Sequence, residues 1–338
     1  MSFAPQFSIT PRLLRDLELI AELKARIGAA TIQVTWTPRL QQDSRSRDAH
    51  ASTAIEGNPL TLAEVRALEG GAPPSIPPER AQREVLNYFA CLRWVEKRAK
   101  QAKPVTHEDI FRLHQLLAED VMDQGQAGRY RTVAVRVGKH LPPPADMVSG
   151  LMRELLAWWN GPSAEWSPVL TSAILHYQFE DIHPFADGNG RAGRMLALWE
   201  LYRRGFDTHR IFSIDEFYWE NRPRYYAGLA AVPAASGNLT AWLEYTTEGL
   251  RATLEQVWLR VQQFAAKSGT KKTVLRPNQE KLLRLLRDHH EGLAPAEIWV
   301  ALDVTKQGAA HILAPLLKSK LVRRLGTRKN GRYLLGGT

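Results

Sequence analysis

The chain has 338 residues, 45 Lys and Arg against 35 Asp and Glu, 44% apolar residues and one cysteine, Cys91. That length predicts two or three domains with a sizeable core, and the composition is that of a soluble globular protein. A single cysteine excludes a disulfide framework and a cysteine-rich zinc site. No apolar run reaches membrane-spanning length, and Met1-Ser2-Phe3-Ala4-Pro5-Gln6 lacks a signal-peptide pattern, so a cytoplasmic protein with no membrane partner is expected.

Helical spacing of Leu13, Leu14, Leu17, Ile20, Leu23 and Ile27 predicts a helix over 11–27, opened by Pro11. After an interruption at 34–38, a more polar helix is predicted over about 40–55. It ends in Ser52-Thr53-Ala54-Ile55-Glu56-Gly57-Asn58-Pro59, where Gly57 and Asn58 terminate and Pro59 prevents continuation. Glu56 opposes the helix dipole there. It is either a solvated carboxylate or one that needs an arginine partner elsewhere. Thr61 and Glu64 form a capping box for a short helix over 60–69. A Gly- and Pro-rich loop over 70–78 precedes a long helix over 79–100 that carries Cys91 on its apolar side. Thr106 caps a helix over 107–119.

The helical rhythm breaks at 128–144. Arg131-Thr132-Val133-Ala134-Val135-Arg136-Val137-Gly138 alternates β-branched and polar residues, which predicts a short hairpin. It is either an ordinary surface hairpin or a flap whose backbone pairs with a peptide of another protein. Further helices are predicted over about 146–160, 167–179, 190–204, from Asn221 onward, and over 238–266, followed by a linker over 267–275.

The tail is basic: residues 271–338 hold 14 Lys and Arg against 5 Asp and Glu, whereas residues 1–270 are nearly balanced. That asymmetry points to a separate module with an anionic partner. Helices over 278–289 and 295–302, a third capped by Thr305, and a hairpin turning through Asn330-Gly331 predict a winged helix-turn-helix over 276–338. Lys306, Gln307 and His311 would face out from the third helix. Arg324, Arg328, Lys329 and Arg332 on the wing would meet phosphates. Pro315 should kink that helix or end it early. Such folds also dock proteins, so DNA and protein partners both stay open for this module.

The chemistry concentrates in His183-Pro184-Phe185-Ala186-Asp187-Gly188-Asn189-Gly190-Arg191-Ala192-Gly193-Arg194. A glycine-rich turn runs into the helix formers Met195 to Leu201. The free amides and dipole of a helix start favour an anion, and Gly188 and Gly190 let the backbone come close to it. Arg191 and Arg194, three apart, add planar cationic forks suited to phosphate. His183 can take a proton, and Asp187 can hold a magnesium ion that bridges phosphates.

The same stretch resembles the signature of the Fic family, His-Pro-Phe-x-(Asp/Glu)-Gly-Asn-Gly-Arg-x-x-Arg, at every defined position. The likeness continues upstream through His176, Phe179, Glu180 and Ile182. Ser52-x-x-x-Glu56-Gly57 is similar to that family's inhibitory-helix motif, here N-terminal to the catalytic motif. The hairpin falls where the family has its target-docking flap, Val135, Arg136, Val137 and Gly138, and winged-helix C-termini occur in the group.

The resemblance implies a mainly α fold. It consists of a Fic helical core with a small β-hairpin flap, an N-terminal helical region over 1–100 that includes the inhibitory helix (about 45–57), the core over 101–266, and the C-terminal winged helix. It implies transfer of AMP from ATP, with Mg2+, to a Ser, Thr or Tyr hydroxyl of a target protein, and self-modification and a homodimer are in keeping with the group. His183 would be the general base and Asp187 the metal ligand. Gly188, Asn189, Gly190, Arg191, Ala192, Gly193 and Arg194 would bind the phosphates, and Tyr225 and Tyr226 would lie at the adenine. Glu56, with Ser52 and Gly57, would inhibit by pairing with Arg194. The family's phosphate-transferring members lose the Gly-Asn-Gly-Arg pattern that this chain keeps. Two alternatives remain: a nucleotide-sensing DNA-binding regulator, and an enzyme that also removes AMP.

Overall fold

A computed structural model describes residues 3–29, 37–71, 79–138, 140–206, 210–267, 276–289, 291–319, 321–326 and 331–336. The predicted linker from 268 on, and Arg328 and Lys329 of the predicted wing, lie outside the described residues. The chain is mainly α, with one two-stranded antiparallel sheet among the described residues. It divides into two compact units, Met1–Gly28 with Gln42–Leu259 and Ala29–Gln41 with Arg260–Thr338. The first unit therefore holds together the N-terminal helices and the motif region that the sequence reading separated at residue 100.

In the first unit, α1 (Pro11–Ala29) buries Leu13, Ile20, Leu23 and Ile27. It is followed by α2 (Thr37–Ile55), α3 (Leu62–Glu69) and α4 (Glu79–Arg98). The Thr61–Glu64 capping box of α3 forms as its sequence requires. α5 (His107–Ala118) starts from a second such box, Thr106 with Asp109. A 3-10 turn over Ala145–Met147 leads into α6 (Val148–Asn160). Ser167 and Pro168 open α7 (Pro168–Ile182), which pairs with α8 (Asn189–Arg203). Both helices are buried on nearly every face; α7 is apolar nearly all round, whereas α8 takes Asn189, Arg191, Arg194 and Glu200 inside with it. Most of the polar groups they take inside find partners. Buried Glu200, for example, accepts from Trp159 Nε1 at 2.6 Å and from Thr171 Oγ1 at 2.8 Å. The exceptions among the described residues, Glu180 Oε1, two nitrogens of Arg191 and Arg194 Nη1, cluster near the motif. α9 (Asp215–Glu220) and α10 (Arg222–Ala234) follow, then α11 (Thr240–Lys267), whose residues up to Leu259 close the first unit and whose last residues belong to the second.

The hairpin expected at 131–138 does not form as a pair of strands. Residues 131–136 take no strand conformation, and one antiparallel bridge joins Val137 to His140. The carbonyls of Val133 and, beyond the segment, Pro143 accept instead from the Arg131 guanidinium, at 3.1 and 2.5 Å.

In the second unit, α12 (Pro277–Asp288), α13 (Pro295–Leu302) and α14 (Lys306–Lys318) precede β1 (Val322–Leu325) and β2 (Arg332–Leu335). The strands pair in the register Val322–Leu335 to Leu325–Arg332. Leu282, Leu283, Leu286, Ile298, Leu302, Leu313, Leu316 and Val322 form its core. Contrary to expectation, α14 runs through Pro315 to Lys318. The proline sits in the last turn, and His311, whose carbonyl loses its helical donor, is exposed.

Candidate active site

α7 stops at His183, which adopts φ 49° and ψ 61° and closes the helix by donating its N–H to the Phe179 carbonyl at 2.9 Å. A non-glycine residue in this left-handed region costs about 1–2 kcal/mol, so neighbouring groups must hold it. Buried Arg131 does so. Its backbone N–H donates to the Pro184 carbonyl at 2.9 Å. Its guanidinium donates to the carbonyls of His183 at 2.8 Å and Ile182 at 3.3 Å.

The loop that follows is braced from within and from α5. The Asn189 side chain spans it, accepting from Phe185 N at 2.9 Å and donating to Phe185 O at 2.8 Å. The His114 ring stacks on Phe185, with centroids 3.6 Å apart and planes 5° apart. His114 Nδ1 accepts from Gly128 N at 2.9 Å, which leaves the proton on Nε2 to be donated to the Asp187 carbonyl at 2.9 Å. Burial pushes the His114 pKa down to about 4, so the ring is neutral at pH 7. Gly188 takes φ 75°, and a Cβ there would approach His114 Nε2 to 3.3 Å. Its N–H donates to Asp187 Oδ1 at 2.6 Å, which leaves Oδ2 for another partner.

α8 then begins, and the amides of its first turn have no partner within the helix. Glu56, from the end of α2, sits on this turn: a Cβ on Gly190 would collide with Glu56 Oε1. Buried Arg194 meets the same helix at three points. Nη2 donates to Glu56 Oε1 and to the Ser52 carbonyl, both at 2.8 Å, and Nε donates to Ser52 Oγ at 2.9 Å. Gly57 takes φ 97°, the conformation that ends α2 just past Glu56.

His183, Gly190, Arg194 and Glu56 line one cavity of about 560 Å³, within the range typical of small-molecule sites. Tyr225, Tyr226, Leu229 and Pro233 form an apolar wall, and Val137 and Gly138 reach its rim. The Tyr225 hydroxyl bonds His176 Nε2 at 3.0 Å, and the Tyr226 hydroxyl donates to the Ile55 carbonyl at 3.4 Å. Burial lowers the His183 pKa to about 4, so its ring is an unprotonated base at pH 7. His183 Nδ1 lies 3.4 Å from the Glu180 carbonyl. With the proton on Nδ1, Nε2 keeps a free lone pair. Glu180 also lines the cavity, and burial pushes its carboxyl up to about 8, so it is largely protonated at pH 7.

Several predicted site residues do not reach the cavity. Ala192 is fully buried, and Gly193 packs under Glu180 and His176. Arg191 is buried with Glu84 as its nearest carboxylate, at 3.9 Å, so the two motif arginines serve different neighbours. The Asn189 side chain is used up within the loop. Of the flap residues, Val135 is half-buried and Arg136 exposed. In the second unit Lys306, Gln307 and Arg324 are exposed, while Arg332 donates to the Gly292 carbonyl at 2.7 Å. The sequence reading missed Arg131 and His114, which stand far from the motif and belong to no motif of their own.

Among the described residues no three His, Cys, Asp or Glu side chains converge as a metal cage. Asp187 with one free carboxylate oxygen still suits magnesium, which usually takes one or two carboxylates and fills its other positions with phosphate oxygens and water.

Residues 104–201 match the Fic/DOC family. The chain carries a Fic domain. Over 222 residues it is 30% identical to protein adenylyltransferase fic-1 of Caenorhabditis elegans, covering 64% of this chain and 42% of that protein. Over 219 residues it is 29% identical to protein adenylyltransferase Fic of Drosophila melanogaster, covering 64% of this chain and 43% of that one. The chain therefore spans less than half the length of these curated relatives. The crystal structure of a Fic family protein from Desulfovibrio desulfuricans G20 superposes with a TM-score of 0.68 at 28% identity over 99% of both chains. Fic-1 (residues 134–508) from C. elegans superposes with a TM-score of 0.66 at 26% identity, over 75% of this chain and 73% of that one.

Proposed function

We propose that this protein transfers AMP from ATP to a Ser, Thr or Tyr hydroxyl of a target protein, and that Glu56 inhibits it. The observation that carries this reading is the neutral, Arg131-held His183 beside the first turn of α8 and Arg194, in a single cavity. The names of its relatives support the same chemistry.

Arg194 takes the terminal phosphate, and the amides of the first turn of α8 take oxygens nearer the reacting phosphorus. The apolar wall of Tyr225, Tyr226, Leu229 and Pro233 suits a purine ring. Asp187 Oδ2 would hold magnesium, which supplies charge neutralisation at the phosphates. The target hydroxyl attacks the α-phosphorus as its proton passes to His183 Nε2. The new O–P bond forms as the bond to pyrophosphate breaks, and pyrophosphate leaves. The negative charge of bound phosphate raises the affinity of His183 for that proton. Positioning and charge neutralisation supply most of the remaining acceleration.

Glu56 opposes this by standing on Gly190 and taking one edge of Arg194. The Val137–His140 bridge at the rim is the part of the flap suited to pairing with a target backbone. Self-modification and a homodimer fit the same reading, as does reversal with Glu56 orienting a water.

Parallel incubations with ATP labelled on the α-phosphate and on the γ-phosphate test the proposal. Protein should acquire label from the α-position alone, and His183→Ala should abolish it. Label arriving from the γ-position, or surviving in His183→Ala, would contradict it.

A second reading concerns the C-terminal unit. The exposed face of α14 carries Lys306, Gln307, Ala310, His311 and Lys318, and the helix has no acidic residue. We propose that this face contacts DNA as the recognition helix of a winged helix. Duplex titrations at two salt concentrations should show binding that weakens with salt. Absence of binding at low salt would leave a protein-docking role.

A further inference from the structure

The Arg194 guanidinium has two carboxylate neighbours of unlike character. Glu56 comes from a helix end, and its side chain is 34% exposed. Asp215, the first residue of α9, is buried, and its Oδ2 lies 3.4 Å from Arg194 Nε. That oxygen has no hydrogen-bond partner among the described residues, and neither does buried Arg194 Nη1. Ser52 meets the same edge of the guanidinium: its oxygen accepts from Arg194 Nε at 2.9 Å.

A buried guanidinium keeps its place only while a counter-charge stays beside it. Glu56 must leave for a terminal phosphate to reach Arg194, and its charge leaves with it. Asp215 sits on the opposite edge of the fork, against Nε, on an element separate from α2. It leaves the Nη1 edge free. Nη1 lies 3.2 Å from where a Cβ on Gly190 would stand, which is the cavity side.

We propose that Asp215 is the fixed counter-ion and positioning residue of Arg194. It holds the Nε edge so that the opposite edge of the fork faces the terminal phosphate once Glu56 withdraws. This rests on the reading of Arg194 as a phosphate ligand. A second buried carboxylate, Asp48 of α2, stands near Asp215. Burial, and then the charge of Asp215, push the Asp48 carboxyl well above the usual carboxylate range, so the nearly isosteric Asp215→Asn leaves no new unpaired charge on that side and should fold.

The test measures ATP and ADP affinities of the full chain by calorimetry in a Glu56→Gly background, with and without Asp215→Asn. Glu56→Gly alone should favour ATP over ADP, because only ATP offers the terminal phosphate. Adding Asp215→Asn should weaken ATP about tenfold while ADP changes little. Asp215→Glu, which keeps the charge, should recover part of the preference and serves as the readout if Asp215→Asn melts early. Equal weakening of both nucleotides, or no change in either, would overturn the proposal and leave the nucleotide reading standing. Lack of any ATP preference in Glu56→Gly itself would overturn the reading of Arg194, and this proposal with it.

Discussion

Arg194 Nη2 and Glu56 Oε1 meet at 2.8 Å although 138 residues separate them in the chain. The pair joins the end of α2 to the first turns of α8. Glu56 is only one of the groups on that guanidinium, since Ser52 takes two further N–H bonds. Loss of Glu56 therefore opens the cavity over Gly190 without releasing Arg194 from α2. Ser52→Ala instead removes the bond from Nε and keeps the Glu56 contact, so the two variants should differ: Glu56→Gly gains nucleotide affinity, whereas Ser52→Ala loosens the arginine and gains less. Comparison of the two by nucleotide titration checks this.

Arg131 should matter for both stability and activity. Arg131→Ala would remove the donors to four carbonyls and release the left-handed His183. A loss of about 2–4 kcal/mol in urea unfolding is expected, with AMP transfer reduced at least about tenfold as His183 loses its placement. Arg131→Lys keeps the charge but not the fork, so it should recover little.

The pH dependence of stability should have two opposing limbs. The pKa values of His114 and His183 are lowered by burial to about 4, and that of His176 to about 3. The unfolded chain binds more protons than the folded one between those values and the ordinary histidine range near 6.5. Stability is therefore lost as pH falls below about 6.5. Glu180 works the other way. Its folded pKa of about 8 lies above the ordinary glutamate value of 4.5. The folded state binds the extra proton in that window, so stability is lost as pH rises from about 4.5 to 8. Glu180→Gln should flatten the upper limb and leave the lower one, as read by melting temperature from pH 4 to pH 8.

His114 is expected to act on the loop rather than on substrate. His114→Phe keeps an aromatic ring for the stack on Phe185 but loses the bonds to Gly128 N and the Asp187 carbonyl. Unpaired, these groups should cost about 1–3 kcal/mol. Asp187 and Gly188 should then lose their fixed geometry, and the magnesium concentration needed for half-maximal transfer should rise. An unchanged magnesium requirement would count against that role.

The sequence made the motif legible because its chemistry is contiguous: base, carboxylate, glycine turn and arginines fall within twelve positions, and helix propensity places them at a helix start. The Glu56–Arg194 contact was legible only through a second motif, since nothing in local periodicity joins α2 to α8. Arg131 and His114 carried no such mark. An arginine between a tyrosine and a threonine reads as surface, and its value here is geometric, set by four carbonyls that converge only after folding. Val133, Val135 and Val137 alternate as in a strand, yet only Val137 finds a backbone partner among the described residues, in the bridge to His140, and the Val133 carbonyl accepts from the Arg131 side chain. Arg191 and Arg194 fall on one helical face by spacing, yet the structure gives them Glu84 and Glu56 as separate neighbours, because the elements that pack on α8 differ along its length. Pro315 marked a helix break that a terminal position made harmless.

The central claim is that Glu56 inhibits a competent site. Its most direct measurement is the initial rate of transfer of α-phosphate label from ATP to protein, for wild type, Glu56→Gly, and Glu56→Gly with His183→Ala. Glu56→Gly should exceed wild type at least about tenfold, the equivalent of 1.4 kcal/mol of relieved inhibition, and the His183→Ala double variant should fall to background. Equal rates for wild type and Glu56→Gly, or labelling that persists without His183, would contradict it.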